Sequence, residues 1–318
     1  MHAIQLADSP FLNFWLAVKP YGGWQLLEAM RPARAVAYFD FLEATLKQRS
    51  QDEEAVAASS TGDAKARKDF FHYVYRETSL STGGVAHDSL SELFSECSLL
   101  VIAGSDTTST AFAALFFYLT HYPAVYDKLV SEIRRTFSSL DEIHSGPALS
   151  SCVYLRACID EAMRMNPPIP RDLDRVVLGG GANVEGHYLP AGTRLSSCIH
   201  NMHHDPSYFD EPFIFKPERW ILDEKAGITQ AVLDHQAEAF WPFSSGVRNC
   251  PGQKLAYLEM ELTIARLLWK VDLKGVDGDR LGAGSKELIW GRRDEGHYQV
   301  KDCFISARTG PMVQFKLR

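Results

Sequence analysis

The segment from Ser89 to Pro123, SLSELFSECSLLVIAGSDTTSTAFAALFFYLTHYP, limits the possible folds more than any other part of the chain. Leu90, Leu93, Phe94, Cys97 and Val101 recur at helical intervals, and Ser89 and Glu92 have the spacing of a capping box. Around its middle the sequence is apolar on most sides, which predicts an unusually long helix that crosses the interior of a protein instead of lying on its surface. The polar run GSDTTST interrupts it and marks a core helix, not a membrane span.

The flanking sequence is also mainly helical. Residues 32 to 50 suit a helix. The polar stretch after them, poor in large apolar residues, predicts a mobile surface loop over 51–68. Pro123 suits the first turn of a further helix carrying Tyr126, Leu129, Ile133 and Phe137, and another from Val153 is stopped by Pro167 and Pro168. NVEGHYLP and GTRLSSCI resemble two strands joined by a proline-glycine turn. Residues 206 to 245 are rich in proline and aromatics without a clean period. After Cys250 the helical spacing returns, with Leu255, Leu258, Leu262 and Ala265 on one face, and CFISARTGPMVQFKLR alternates like paired strands. The fold class that follows is mainly α with small β-sheets.

Composition removes several classes of function. A net charge of −7, with no basic stripe, argues against nucleic acid as a partner. The six cysteines form no C-x-x-C pair and suit free thiols in a reducing compartment. The opening MHAIQLADSPFLNFWLAVKP lacks a basic start and contains Asp8 and Pro10, so it predicts neither a signal peptide nor a membrane span.

One cysteine stands apart. In FSSGVRNCPG, Cys250 lies at the start of a helix, where free N–H groups and the helix dipole favour a thiolate. Gly246 and Gly252 remove side chains on either side of it, and Arg248 adds a fixed positive charge two residues away. An anionic sulfur with space in front of it is a metal ligand or a nucleophile.

The pattern Phe243-x-x-Gly246-x-Arg248-x-Cys250-x-Gly252 resembles the haem-binding signature of the cytochrome P450 monooxygenases. Five fixed positions in ten residues arise by chance about once in 10⁴ chains of this length. Further motifs match in the expected order. AGSDTT, with Gly104, Asp106 and Thr107, resembles the oxygen-binding segment of the family, and EAMR with PERW resembles its Glu161, Arg164 and Arg219 triad. Arg175 in DRVV occupies the place of an arginine that reaches a haem propionate. MHHDP resembles the family's His-x-Asp-Pro segment, which implies that His203 and His204 are fold and propionate-side residues, and the remaining cysteines read as core.

The resemblance implies the cytochrome P450 fold from the long core helix through the haem-binding helix, as a single catalytic domain over 1–318 that is incomplete at its N-terminus. It implies a haem b (iron protoporphyrin IX) cofactor with Cys250 as axial ligand, and Asp106 and Thr107 as the proton relay. Electrons come from NADPH through a separate NADPH-cytochrome reductase, and the reaction is hydroxylation of an apolar small molecule. For full-length relatives the implied location is the endoplasmic reticulum membrane surface; for this chain, read as lacking the anchor, the cytoplasm is the alternative expectation. The closing ARTGPMVQFKLR looks most like filamentous-fungal members of specialised metabolism. Two alternatives stay open: a haem-thiolate isomerase or dehydratase, which usually lacks the acid and alcohol present here, and a non-catalytic or degenerate haem-binding fragment, which would hold haem weakly.

Overall fold

The computed structural model describes residues 33–58, 68–82, 87–171 and 173–318. Among these the chain forms nine α-helices: α1 Ala33–Ala58, α2 Phe70–Thr82, α3 His87–His121, α4 Pro123–Thr136, α5 Pro147–Ser150, α6 Val153–Met165, α7 Ile199–His203, α8 Gln230–Ala239 and α9 Gln253–Lys270. Eight short strands complete it: β1 Arg175–Val176, β2 Ala182–Val184, β3 His187–Leu189, β4 Arg194–Leu195, β5 Val271–Gly275, β6 Val300–Lys301, β7 Ala307–Arg308 and β8 Val313–Leu317. They pair as four two-stranded antiparallel sheets, β1 with β4, β2 with β3, β5 with β8 and β6 with β7. The chain divides within α3 into two compact units, 1–105 and 106–318.

In the first unit α1 extends eight residues beyond the predicted end, so 51–58 is helix and not the expected loop. The polar side chains there make helical pairs: Gln48 donates to Asp52 at 3.0 Å and Arg49 to Glu53 at 3.1 Å. Glu53 is buried against the His72 ring, Oε2 to Nδ1 at 2.8 Å. The rest of the predicted loop, 59–67, and the N-terminal segment read as neither signal nor span lie outside the described residues.

The long helix forms as predicted, although Ser89 lies inside it and not at its cap. Over 92–121 it is long and apolar enough to cross a membrane by length and composition. Its burial is uneven. Ala111, Ala114, Leu115, Phe117, Tyr118 and Leu119 belong to the main core, whereas Leu99, Leu100 and Val101 are exposed, contrary to the expected interior path for the middle of the helix.

The second unit is built around that core. Leu129 and Ile133 of α4, Leu155, Ile159 and Ala162 of α6, and Met260, Ile264, Ala265 and Leu268 of α9 bury the apolar stripes that helical spacing gives them. Each of the leucine, isoleucine and methionine side chains among them contributes about 1.5–3 kcal/mol relative to exposure. Pro123 opens α4 as expected. The start of α6 has no side-chain cap of its own; instead Glu132 of α4 accepts from the Tyr154 and Leu155 N–H groups at 2.9 and 2.8 Å, placing a carboxylate where the helix dipole favours one.

Other expectations change. In α9 the buried stripe is Tyr257, Met260, Ile264, Ala265 and Leu268, while Leu255 is exposed. NVEGHYLP is a complete hairpin by itself, because Glu185 and Gly186 both take positive φ (50° and 81°), the geometry of a tight primed turn; β4 then pairs back to β1. The terminal strands β7 and β8 each pair with an earlier strand and not with one another. Helix α8 has no predicted counterpart. Thr229 caps it, but only Gln236 and Ala239 are buried, too few to leave an apolar period.

Candidate active site

The cysteine loop runs from Phe243 to Gly252 between a turn and α9. Ser244 and Gly246 have positive φ, 61° and 71°, followed by a 3₁₀ turn over Gly246–Arg248. A Cβ on Gly246 would meet nothing within 4 Å, so glycine there serves the backbone conformation and leaves open space. Helix α9 begins at Gln253 with Gly252 as its N-cap, so Cys250 lies two residues ahead of the cap. Its N–H donates to the Phe243 carbonyl at 2.9 Å and its carbonyl accepts from Gln253 N–H at 3.4 Å. A Cβ on Gly252 would lie 3.7 Å from Cys250 Sγ. Cys250 is exposed, as is Arg248, whereas Cys97, Cys152 and Cys158 are buried and Cys198 and Cys303 partly so. The reading of the other five as core holds fully for three.

Glu161 gathers the predicted triad. Arg164 donates to both its oxygens at 2.9 Å, and Arg219 Nε to Oε1 at 3.1 Å. The exposures of the three residues are 0%, 0% and 3%, so their charges are balanced by one another and by the groups packed around them. Two donors were not foreseen: the Trp220 indole N–H bonds Oε2 at 2.9 Å and the Lys216 N–H bonds Oε1 at 3.0 Å. Burial by itself would raise the Glu161 carboxyl, but the Arg164 charge and hydrogen bonds, with Arg219, outweigh it and hold it below the usual range. The arginines spread outward to backbone: Arg164 Nη1 reaches the His203 and Pro212 carbonyls at 2.7 Å, and Arg219 Nη1 the Asp210 carbonyl at 2.8 Å.

His203 joins this network to the segment entering the cysteine loop. Its Nε2 accepts the Trp241 N–H at 3.0 Å, so Nδ1 carries the proton and donates to the Arg164 carbonyl at 3.2 Å. Burial, with the Arg164 charge, pushes its pKa down to about 3, and the ring is neutral. His204 is buried too, its Nδ1 bonding the His200 carbonyl at 2.8 Å.

On the long helix, Gly104 is exposed and a Cβ there would meet nothing within 4 Å. Asp106 and Thr107 are partly buried, and the helix runs through them without a break. The Ser109 and Thr110 hydroxyls fold back onto the helix and donate to the Asp106 carbonyl at 3.2 and 2.9 Å. A residue absent from the sequence-based expectation completes the cluster. Arg308 of β7 donates to Thr110 Oγ1 at 2.9 Å and to Ser109 Oγ, and lies 3.6 Å from Asp106 Oδ1. No local motif marks Arg308; only the pairing of β7 beside β6 delivers it.

Arg175 is exposed on β1, its Nη1 donating to the Leu173 and Asp174 carbonyls at 3.2 and 3.0 Å.

The donor set tests whether a haem suits these residues. Among the described residues no group of three or more His, Cys, Asp and Glu side chains could hold a metal ion. A metal at Cys250 therefore needs a partner group that brings its own ligands. An exposed thiol beside open space at Gly246 admits one, so the residues present fit a haem.

The family model described as "Cytochrome P450" matches residues 3–281. The chain is 36% identical over 282 residues to the cytochrome P450 monooxygenase fscF of Fusarium equiseti, covering 88% of this chain and 51% of that protein. It is 41% identical over 230 residues to a cytochrome P450 monooxygenase of Gibberella zeae, covering 71% of this chain and 51% of that one. It is also 37% identical over 282 residues to apf8, a cytochrome P450 monooxygenase of Gibberella fujikuroi, covering 88% and 72%. The chain thus spans about half the length of the first of these relatives.

Proposed function

The chain belongs to the cytochrome P450 family, and on that premise we propose that it acts as a haem-thiolate monooxygenase on an apolar small molecule. The balanced reaction consumes the substrate R–H, O2, two electrons and two protons, and gives R–OH and water. NADPH supplies the electrons through a separate reductase. The observation that carries this reading is Cys250, which alone among the six cysteines is exposed, on a glycine-flanked loop whose backbone is fixed by the Phe243 carbonyl.

A haem b held here would supply the redox-active iron, and a cysteine thiolate is the ligand type that would favour O–O cleavage. Cys250 Sγ provides that thiolate, and Gly246 and Gly252 keep the approach to it open. Arg248 and Arg175 offer cationic partners for the haem carboxylates. Asp106 and Thr107 hold and pass the protons the reaction consumes, and Arg308 orients the Asp106 carboxylate through its contacts with Asp106, Ser109 and Thr110. Presence of both Asp106 and Thr107 favours oxygenation over isomerisation or dehydration. The matching relatives are fungal, which supports a role in fungal specialised metabolism.

The test is the haem-loaded chain with a reductase and NADPH. Its reduced, carbon-monoxide-bound form is expected to show the red-shifted Soret band of a thiolate haem and to consume O2 with an apolar substrate. A Cys250→Ser variant that kept the band would overturn the assignment.

A further inference from the structure

The second acid of α6, Asp160, is partly buried and is engaged near the cysteine loop. Asp160 precedes Glu161 but turns toward α9, where its Oδ1 accepts the Tyr257 hydroxyl at 2.7 Å. Arg156, one turn earlier, donates to Asp160 Oδ2 at 3.1 Å and to Glu261 Oε1 at 3.1 Å. Its guanidinium lies 3.3 Å from the centre of the Tyr257 ring, a close cation–π contact. The same ring meets the Phe243 ring at 5.0 Å. Phe243 in turn holds Cys250, carbonyl to N–H, at 2.9 Å. Helix α6 thus grips the loop twice: Arg164 through His203 to Trp241, and Asp160 through Tyr257 to Phe243.

We propose that Tyr257, anchored by Asp160 and covered by Arg156, is the positioning residue that fixes Phe243 and through it the Cys250 loop, and that the Asp160 carboxylate makes this anchoring sensitive to acid. The inference rests on the reading of Cys250 as the axial ligand. A pocket of about 260 Å³, bounded by Arg156, Asp160, Trp241, Phe243, Gln253 and Tyr257, gives solvent and protons access to the carboxylate, whose side chain is 14% exposed. The ionisable groups facing it are Arg156 on its own helix and Tyr257 and Glu261 on α9. Burial raises the Asp160 carboxyl to about 6, against the opposing pull of Arg156 and Tyr257. Below that pH the carboxylate becomes a neutral acid, and the Tyr257 hydroxyl loses a charged acceptor for a weaker one.

The experiment uses the full chain in two arms. In the haem-free arm, hydrogen exchange of the 243–253 peptide is compared in wild type, Tyr257→Phe and Asp160→Asn from pH 5 to 8, corrected for intrinsic exchange. Tyr257→Phe keeps the ring but loses the anchor, and is expected to speed exchange of the Cys250 amide by about tenfold while leaving 153–165 unchanged. Wild type is expected to show a step in loop exchange near the Asp160 midpoint that Asp160→Asn lacks. In the haem-loaded arm, loss of the thiolate Soret band of the reduced, carbon-monoxide-bound protein is expected to follow the same step, and the midpoint potential to shift in Tyr257→Phe. Unchanged loop exchange in both variants would overturn the proposal, as would faster exchange spread over α6 and α9, the mark of a merely structural role. Wild-type protein without a thiolate band would overturn the functional reading, while the haem-free arm would still decide the proposal about the loop.

Discussion

The Nε2 atom of buried His203 accepts the backbone N–H of Trp241 at 3.0 Å, two residues before Phe243 opens the cysteine loop. Because His203 also bonds the Arg164 carbonyl, the ring is a bridge between the Glu161 network and the loop that presents Cys250. His203→Ala removes both bonds and leaves the Trp241 N–H without its acceptor. The expected cost is about 2–4 kcal/mol in urea denaturation, with faster exchange of the Trp241 amide. A variant as stable as wild type would show that the bridge carries no weight.

Glu161, itself buried with Arg164 and Arg219, accepts from Arg164, Arg219, Trp220 and the Lys216 N–H. Glu161→Ala leaves two buried guanidinium groups uncompensated, and its expected cost is about 3–5 kcal/mol. This is a large share of a domain's net stability, so poor solubility and low haem content are expected before any change in chemistry. Calorimetry of the variant beside wild type checks it; an unchanged transition would show the pair to be dispensable.

Cys250 is exposed and makes its bonds through its backbone, so Cys250→Ser is expected to leave the fold and thermal transition unchanged. What it should lose is the thiolate-type spectrum and all reductase-driven turnover. Matched far-ultraviolet dichroism and carbon monoxide difference spectra separate the two effects.

Asp106, Thr107 and Arg308 are expected to act on proton supply. Asp106→Asn or Thr107→Ala is expected to cut product formation by about 10²-fold to 10⁴-fold while haem uptake persists and electrons are diverted to peroxide. Arg308→Gln is expected to behave similarly but more mildly, with Arg308→Lys restoring part of the coupling, because only the orientation of Asp106 is lost. Product formed per NADPH oxidised is the measurement. Equal coupling in all the variants would remove these residues from the relay.

Acid is expected to destabilise the second unit. Burial lowers His203 to about 3, His204 to about 2 and His297 to about 4, and lowers His200 as well, against about 6.5 in an unfolded chain. Between those values the unfolded chain binds protons that the folded one refuses, so stability is complete above about pH 6.5 and falls as pH drops below it. For His203 alone the loss from pH 7 to 5 is about 2 kcal/mol. Asp160 works in the opposite sense, since its raised pKa favours the folded state as it is protonated below about 6, and it offsets part of the loss. Urea midpoints at pH 7 and pH 5 test the sum; a midpoint that holds or rises at pH 5 would mean the histidines are not buried neutral.

Periodicity, turn residues and the cysteine signature were legible because each is a local property. The long helix, the start of α4 at Pro123, the end of α6 before its two prolines and the glycine-flanked Cys250 depend on residues within a few positions of one another. Even the triad could be named, since Glu161 and Arg164 share a helix face and Arg219 lies in a recognisable tetrapeptide. Tertiary docking decided what lies between such pieces. It chose which stripe of α9 is buried, paired β4 back to β1, and carried α1 through a polar stretch where Glu53 finds His72. It also set His203 between Arg164 and Trp241, and Arg308 against Asp106. A hydrogen bond across tens to hundreds of residues leaves no period in the sequence, because its geometry exists only once the elements that carry the two partners have packed.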